Sequence, residues 1–184
     1  MFVDTLFFAA LTPLLPHYAD ELGLGKAGAG VLAAAYPAGC FFGGIPSGIV
    51  AARFGVKPTV LIGMSCVAVT TALFGFAQEA WQLDLARFVQ GLASAFSWTG
   101  ALAWLVAAAP AGRRGALIGQ AFAAAVGGAL FGPVLGGIAS VAGSGKTFGV
   151  VALASLGIAA WAAATPAAAP EDEPQPISVL ASNL

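Results

Sequence analysis

Two ionisable side chains interrupt apolar stretches of the sequence. Asp4 lies in "MFVDTLFFAALTPLLP" and Arg87 in "LDLARFVQG". An ionisable group inside an apolar membrane helix costs free energy and usually faces a cavity or a partner, so both are candidates for proton or ligand binding. Their depths are expected to differ by about 9 Å, and a direct ion pair is not assured. Pairing of Arg87 with Asp84, or extension of its side chain toward the interface, are the structural alternatives.

A third candidate is Gly145-Lys146-Thr147 in "AGSGKTFG", which matches the end of a phosphate-binding loop. The full signature needs a glycine five positions before Gly145, between a strand and a helix. Ser140 occupies that position. The segment therefore predicts a short turn between two helices, whose glycines serve the turn, and nucleotide binding is not expected.

The remaining residues offer no catalytic or metal-binding arrangement. His17 is the single histidine, and Cys40 and Cys66 have no metal-type spacing. A lone histidine cannot build a triad, and an isolated cysteine usually packs as a small apolar residue. We expect no cofactor, no metal and no enzymatic activity.

Composition indicates a membrane protein. The 184 residues are 59% hydrophobic and 8% charged, against about 25% charged in soluble domains. Stretches without charge exceed the ~20 residues that cross a bilayer and cover residues 27–52, 58–78, 88–112, 115–145 and 147–170. They predict five membrane helices in contact with lipid. A soluble enzyme or a nucleic-acid-binding protein is not expected.

The N-terminal stretch predicts a sixth, shorter helix. A signal peptide is the alternative, but no basic segment begins the sequence and Asp4 lies where such a peptide is apolar. We interpret it as a first helix whose beginning lies outside the sequence. The predicted helices cover about residues 1–19, 28–51, 59–77, 82–108, 116–140 and 147–165.

Basic residues predict the orientation of this bundle, which spans residues 1–165. Arg53, Lys57, Arg113 and Arg114 lie on one side, whereas Lys26 and Lys146 lie on the other. The positive-inside rule then places both termini in the cytoplasm. Residues 166–184 are rich in proline and acid and predict a cytoplasmic tail or the start of a central loop.

Residues 89 positions apart indicate an internal repeat. Gly39 matches Gly128, Gly43 matches Gly132, and Lys57 matches Lys146. The matched segments are predicted helices two and five, each the middle helix of three. Two three-helix units of inverted topology, as in secondary transporters, would give this pattern.

Three motifs resemble the major facilitator superfamily of secondary transporters, in its N-terminal six-helix half. The loop motif Gly-x-x-x-Asp-Arg-x-Gly-x-basic reads GIVAARFGVK from Gly48 to Lys57, with Arg53 and Gly55 in place and Ala52 instead of the acid. The helix-four motif reads RFVQG and contains Arg87, Gln90 and Gly91. The helix-five motif reads GALFGPVLGG and contains Gly128, Gly132, Pro133, Gly136 and Gly137.

The resemblance implies half of a twelve-helix transporter. Its helix-five motif is typical of the branch whose members export drugs and other small organic molecules in exchange for protons, where an acid at the position of Asp4 can bind a proton or a cationic substrate. Arg87 would modulate the protonation of that acid, and the loop from Gly48 to Lys57 would gate, although plain orientation charge explains its basic residues equally well. Helix-five glycines and Pro133 would let helix five pack and bend against the opposite, C-terminal half.

Two other interpretations stay open from sequence alone. Uptake or facilitated diffusion would use the same fold, because no residue specifies the cargo. A truncated six-helix membrane protein that transports nothing is the alternative from another class. A second set of six helices encoded in frame would favour the half-transporter.

Overall fold

The computed structural model describes residues 1–166, and that part of the chain is helical, which confirms the prediction of an all-α protein. The helices are α1 (Phe2–Glu21), α2 (Lys26–Phe54), α3 (Val56–Gly75), α4 (Ala80–Ala108), α5 (Arg114–Ala142) and α6 (Ser144–Ala164), with a 3-10 helix at Ala111–Arg113. Each end lies within one helical turn of its predicted position. Of the predicted tail, residues 167–184 lie outside the described residues.

Five of the helices, α2 to α6, are long and apolar enough to cross a membrane. Helix α1 is not among them; its 20 residues include three acids, Asp4, Asp20 and Glu21, and two prolines, Pro13 and Pro16. Large apolar side chains cover the surface, with Phe41 80% and Val141 90% exposed. Such a surface suits hydrocarbon or another apolar protein surface and not water.

Two helix junctions consist of a single glycine each. Gly55 separates α2 from α3 with φ 91° and ψ 168°, and Gly143 separates α5 from α6 with φ 96° and ψ 133°. Residues with a side chain rarely adopt this backbone conformation. The predicted gap at residues 52–58, between helices two and three, is therefore wrong, because Arg53 and Lys57 lie within helices α2 and α3.

The segment "AGSGKTFG" also differs from the expectation. Only Gly143 serves the turn, since Ser144 begins α6 and the glycines after it are helical. A Cβ atom on Gly145 would lie 2.9 Å from the Phe76 ring. Gly145 therefore serves close packing of α6 against the end of α3.

Glycines let two pairs of helices approach closely. A Cβ atom on Gly39 of α2 would overlap the carbonyl oxygen of Phe88 on α4, and one on Gly128 of α5 would overlap that of Phe2 on α1. Small residues at such positions allow backbone contact within a membrane. Helices α2 and α4 therefore form one pair and α1 and α5 form another, while α3 packs on α4 and α6.

The expected role of the helix-five glycines against an opposite half is wrong for three of them. Gly128, Gly132 and Gly136 all contact α1 of the same bundle, and their face of α5 is occupied. A Cβ atom on Gly137 would meet nothing within 4 Å, so only this motif glycine faces outward. Sequence spacing identified the contact face, but it could not identify the partner helix.

Aromatic side chains form the larger apolar core near Gly143. Phe7 on α1, Phe74 on α3 and Phe148 on α6 contact one another edge to face, with ring centroids 4.8 to 5.4 Å apart. Tyr18 extends this cluster and donates a hydrogen bond to Ser144 Oγ over 3.0 Å. The core joins helices α3 and α6 to helix α1.

Candidate proton and cation site

Asp4 is buried at the meeting point of three helices, with 2% of its surface exposed. Its Oδ2 accepts hydrogen bonds from Ser94 Oγ at 2.6 Å and from Trp98 Nε1 at 2.7 Å, both on α4. The Tyr36 hydroxyl on α2 lies 3.2 Å from the same oxygen and 2.7 Å from Ser94 Oγ. Hydrogen-bond donors of this kind favour a charged carboxylate.

The local sequence explains how these donors converge. Gln90, Ser94 and Trp98 are four residues apart and therefore lie on one face of α4. Gly91 on the same helix allows the backbone of α2 to approach, because a Cβ atom there would overlap the Tyr36 carbonyl oxygen. The close contact between α2 and α4 thus places the Tyr36 hydroxyl beside Ser94.

Arg87 is also buried, with 1% exposed. Its guanidinium carbon lies 5.0 Å from the ring centroid of Tyr36, 5.6 Å from Phe8 and 5.7 Å from Phe7. Rings at this distance attract a cation through their electron-rich faces. Its Nη1 donates a hydrogen bond to Gln90 Oε1 over 3.0 Å.

Asp4 and Arg87 lie on opposite parts of Tyr36 and form no ion pair within 4 Å in residues 1–166. The hydroxyl of Tyr36 faces the acid, whereas its ring lies beside the cation. Arg87 also forms no ion pair with Asp84, and it does not extend to the surface. Neither structural alternative for Arg87 therefore describes its position.

Sequence reasoning missed Tyr36, Ser94 and Trp98, the residues that contact Asp4. A detectable signal was the stripe of polar side chains on α4 in register with Arg87. Tyr36 had no comparable signal, because its place depends on how α2 packs against α4. Gln90 and Gly91 of the predicted motif do lie here, one beside Arg87 and the other against Tyr36.

Three buried polar atoms at this centre have no hydrogen-bond partner within the described part of the chain. They are one acceptor and two donors: Asp4 Oδ1, Arg87 Nε and Gln90 Nε2. A cavity of about 290 Å³ lies beside the three hydrogen-bond donors to Asp4 and is lined by Tyr36, Cys40, Ser94, Ala95, Trp98 and Thr99. A larger cavity of about 510 Å³ near Gly55 has no ionisable side chain in its lining. The buried groups that could bind a proton or an ion therefore lie at Asp4 and not at the larger cavity.

The predicted gating residues lie at the end of α2 and the start of α3. Lys57 Nζ donates a 2.8 Å hydrogen bond to the Thr165 carbonyl oxygen at the end of α6. A cation at a helix C-terminus stabilises the unpaired carbonyl groups there. Arg53 is exposed, and Gly48 is open to its surroundings. Lys57 thus connects the motif to α6.

A bundle of long apolar helices with a buried acid and a buried arginine defines a polytopic membrane protein of the transporter class. The family model of the Major Facilitator Superfamily matches residues 1–181. The chain therefore belongs to this superfamily and is a multi-pass membrane protein. The family consists of transporters and not of enzymes, as expected from the sequence.

Curated relatives support this assignment. An MFS-type transporter of Metarhizium rileyi is 29% identical over 75% of this chain and 30% of its own length. The multidrug resistance protein MdtG of Proteus mirabilis is 32% identical over 71% of this chain and 34% of its own length. The chain thus spans about a third of the length of these two curated relatives.

A solved structure shares the fold. The crystal structure of a D-xylose-proton symporter superimposes with a TM-score of 0.75 over 99% of this chain and 50% of that chain. Sequence identity is 15%, so the similarity concerns the fold alone. The six helices correspond to half of that transporter.

Proposed function

We propose that this chain forms the N-terminal six-helix half of a transporter that exports a small organic molecule in exchange for protons. Proton and cationic substrate would compete for Asp4, and loading one would release the other. Arg87 would influence this exchange through Tyr36, since the two charges form no direct pair. The partners of this chain would be the substrate, protons and a second, C-terminal half.

The observation that carries the proposal is the burial of Asp4 without a cation. Its carboxyl group is 2% exposed and forms no ion pair within the described residues. A buried carboxylate without a cationic partner is costly, and the cost is relieved when the group takes up a proton or a positive ligand. Exchange between the two is the simplest use of such a group inside a membrane.

Export is favoured over uptake by the relatives and by the motif in α5. The matched protein of Proteus mirabilis is named for multidrug resistance. The motif from Gly128 to Gly137 is intact in this sequence, and in the family it marks proton-coupled antiporters. Uptake stays the alternative, and the direction of proton movement in a transport assay separates the two.

Contacts between helices support two inverted three-helix units, α1–α3 and α4–α6. The contact of Gly39 with the Phe88 carbonyl corresponds to that of Gly128 with the Phe2 carbonyl. The α2 and α5 positions differ by 89 residues (128 − 39), and the α4 and α1 positions by 86 (88 − 2). The same two differences relate a second pair of contacts, Gly43 with Ala95 and Gly132 with Ala9.

In this arrangement α1 would be the sixth membrane span. The protein would lie in the cell membrane, the plasma or inner membrane, with both chain ends in the cytoplasm. The positive-inside rule favours this orientation, with four basic residues against two. Helices α1, α2, α4 and α5 would face the transport pathway. Asp4 contacts residues of α2 and α4, in agreement with this placement.

The test is drug-driven proton movement in inverted vesicles that contain the full-length protein, with ethidium as the cation. Asp4→Asn keeps the size of the side chain and removes its charge, so we expect proton movement to be lost. Asp84→Asn is the matched control, since Asp84 is on α4 and forms no ion pair within residues 1–166. Coupled proton movement that survives Asp4→Asn would contradict the proposal.

A further inference from the structure

The two oxygen atoms of Asp4 have different surroundings. Oδ2 accepts the hydrogen bonds of Ser94 and Trp98, and Tyr36 reaches it directly or through Ser94. Oδ1 is buried and accepts none from the described residues. One oxygen is therefore held by protein donors, while the other is left for a ligand.

We infer that Ser94, Trp98 and Tyr36 are positioning residues that hold Oδ2 and direct the proton, or the competing cation, to Oδ1. This inference rests on the proposed function, and it assigns the exchange to a single atom. A proton arriving from water forms its bond with Oδ1 and leaves Oδ2 as a neutral carbonyl-type oxygen. The donors then face a weaker acceptor, because hydrogen bonds to a charged oxygen are roughly twice as strong.

This arrangement gives protonation a mechanical consequence. Asp4 belongs to the α1 and α5 pair, whereas its donors belong to the α2 and α4 pair. The hydrogen bonds at Oδ2 therefore tie one helix pair to the other. Protonation of Oδ1 weakens this tie, and the two pairs can then move relative to each other.

Other charged or titratable groups near Asp4 are few within residues 1–166. Helix α2 contributes Tyr36 and Cys40, helix α4 contributes Arg87, and the amino group of Met1 lies one turn before Asp4 on α1. Helix α5 has no ionisable side chain beyond Arg114 at its start. Single substitutions can therefore separate the contribution of Asp4 from those of its neighbours.

The experiment is an infrared pH titration of the full-length protein in lipid nanodiscs, which needs no substrate. The protonated carboxyl band that disappears in Asp4→Asn reports Asp4. Trp98→Phe and Ser94→Ala each remove a donor to the charged form, so we expect the midpoint of this band to rise by about 1 pH unit. Tyr36→Phe keeps the ring beside Arg87. It should raise the midpoint less, because the Tyr36 hydroxyl lies 3.2 Å from Oδ2 and the other two donors lie closer.

Two variants control for unspecific effects. Trp104→Phe removes an indole from α4, the helix that also carries Trp98, but at the cavity of about 510 Å³. It should leave the midpoint unchanged. Ser94→Thr keeps the hydroxyl group and should restore the midpoint lost in Ser94→Ala. Unchanged midpoints in both Trp98→Phe and Ser94→Ala, or no Asp4-dependent band between about pH 4 and pH 10, would overturn the inference. Surviving transport in Asp4→Asn would overturn the proposed function instead.

Discussion

The indole N–H of Trp98 on α4 donates a 2.7 Å hydrogen bond to Oδ2 of Asp4 on α1. These helices belong to different closely packed pairs, since α1 packs mainly on α5 and α4 on α2 and α3. The bond therefore joins two parts of the bundle through polar side chains. Such a link depends on charge, whereas the glycine contacts within each pair do not.

Arg87→Lys should impair the protein although it keeps the charge. A lysine ammonium is a compact point charge and lacks the planar guanidinium that lies within 5.7 Å of the ring centroids of Phe7, Phe8 and Tyr36. We expect a stability loss of about 1 to 2 kcal/mol and weaker proton coupling. Thermal unfolding in detergent measures the first and vesicle proton movement the second. The control is Arg53→Lys, where the side chain is exposed; equal effects of both substitutions would contradict the role of the rings.

Gly132→Val should destabilise the pair formed by α1 and α5. A Cβ atom there would overlap the Ala9 methyl group and lie 2.8 Å from the Leu6 carbonyl oxygen. Forced separation of packed helices costs about 1 to 3 kcal/mol, measured as a lower melting temperature. Gly137→Val is the matched control, because its Cβ would meet nothing within 4 Å. A larger loss in Gly137→Val would point to a face packed against a partner absent from this chain.

Lys57→Met should loosen the end of α6. The substitution keeps most of the apolar stem and removes the 2.8 Å hydrogen bond to the Thr165 carbonyl oxygen. The local free energy of unfolding at the end of α6 should fall by about 0.5 to 1.5 kcal/mol. Hydrogen exchange of the last turn of α6 measures it locally. Arg53→Met, in the same motif, should leave that exchange unchanged; similar acceleration in both would favour a general charge effect.

Gly55→Ala should destabilise the junction of α2 and α3. Its φ of 91° with ψ of 168° is a conformation that alanine adopts only with strain, at a cost of about 1 to 3 kcal/mol. The prediction is checked by chemical unfolding in mixed micelles. Gly149→Ala lies inside α6 with open space around it and should be neutral or slightly stabilising. Equal free energies of unfolding for Gly55→Ala and Gly149→Ala would show that the junction relaxes without strain.

Helix positions followed from the sequence because hydrocarbon requires continuous apolar segments whose backbone groups bond within the helix. Five charge-free stretches therefore indicated α2 to α6, and the ends of the helices predicted from them lie within one turn of the observed ends. The exceptional residues were also recognisable, since an acid such as Asp4 or a cation such as Arg87 is rare in this composition.

Helix partners and hydrogen-bond partners were decided by the tertiary structure. Apolar segments pack against one another or against lipid with similar energy, so spacing could not tell that Gly128 meets α1. The donors to Asp4 come from positions 32 to 94 residues away in sequence, and nothing in the sequence pairs the polar residues of α4 with the acid of α1. The sequence by itself determined which charges lie in the membrane. Only the packing of α1, α2 and α4 decided that Asp4 is held through one oxygen and that Tyr36 separates it from Arg87.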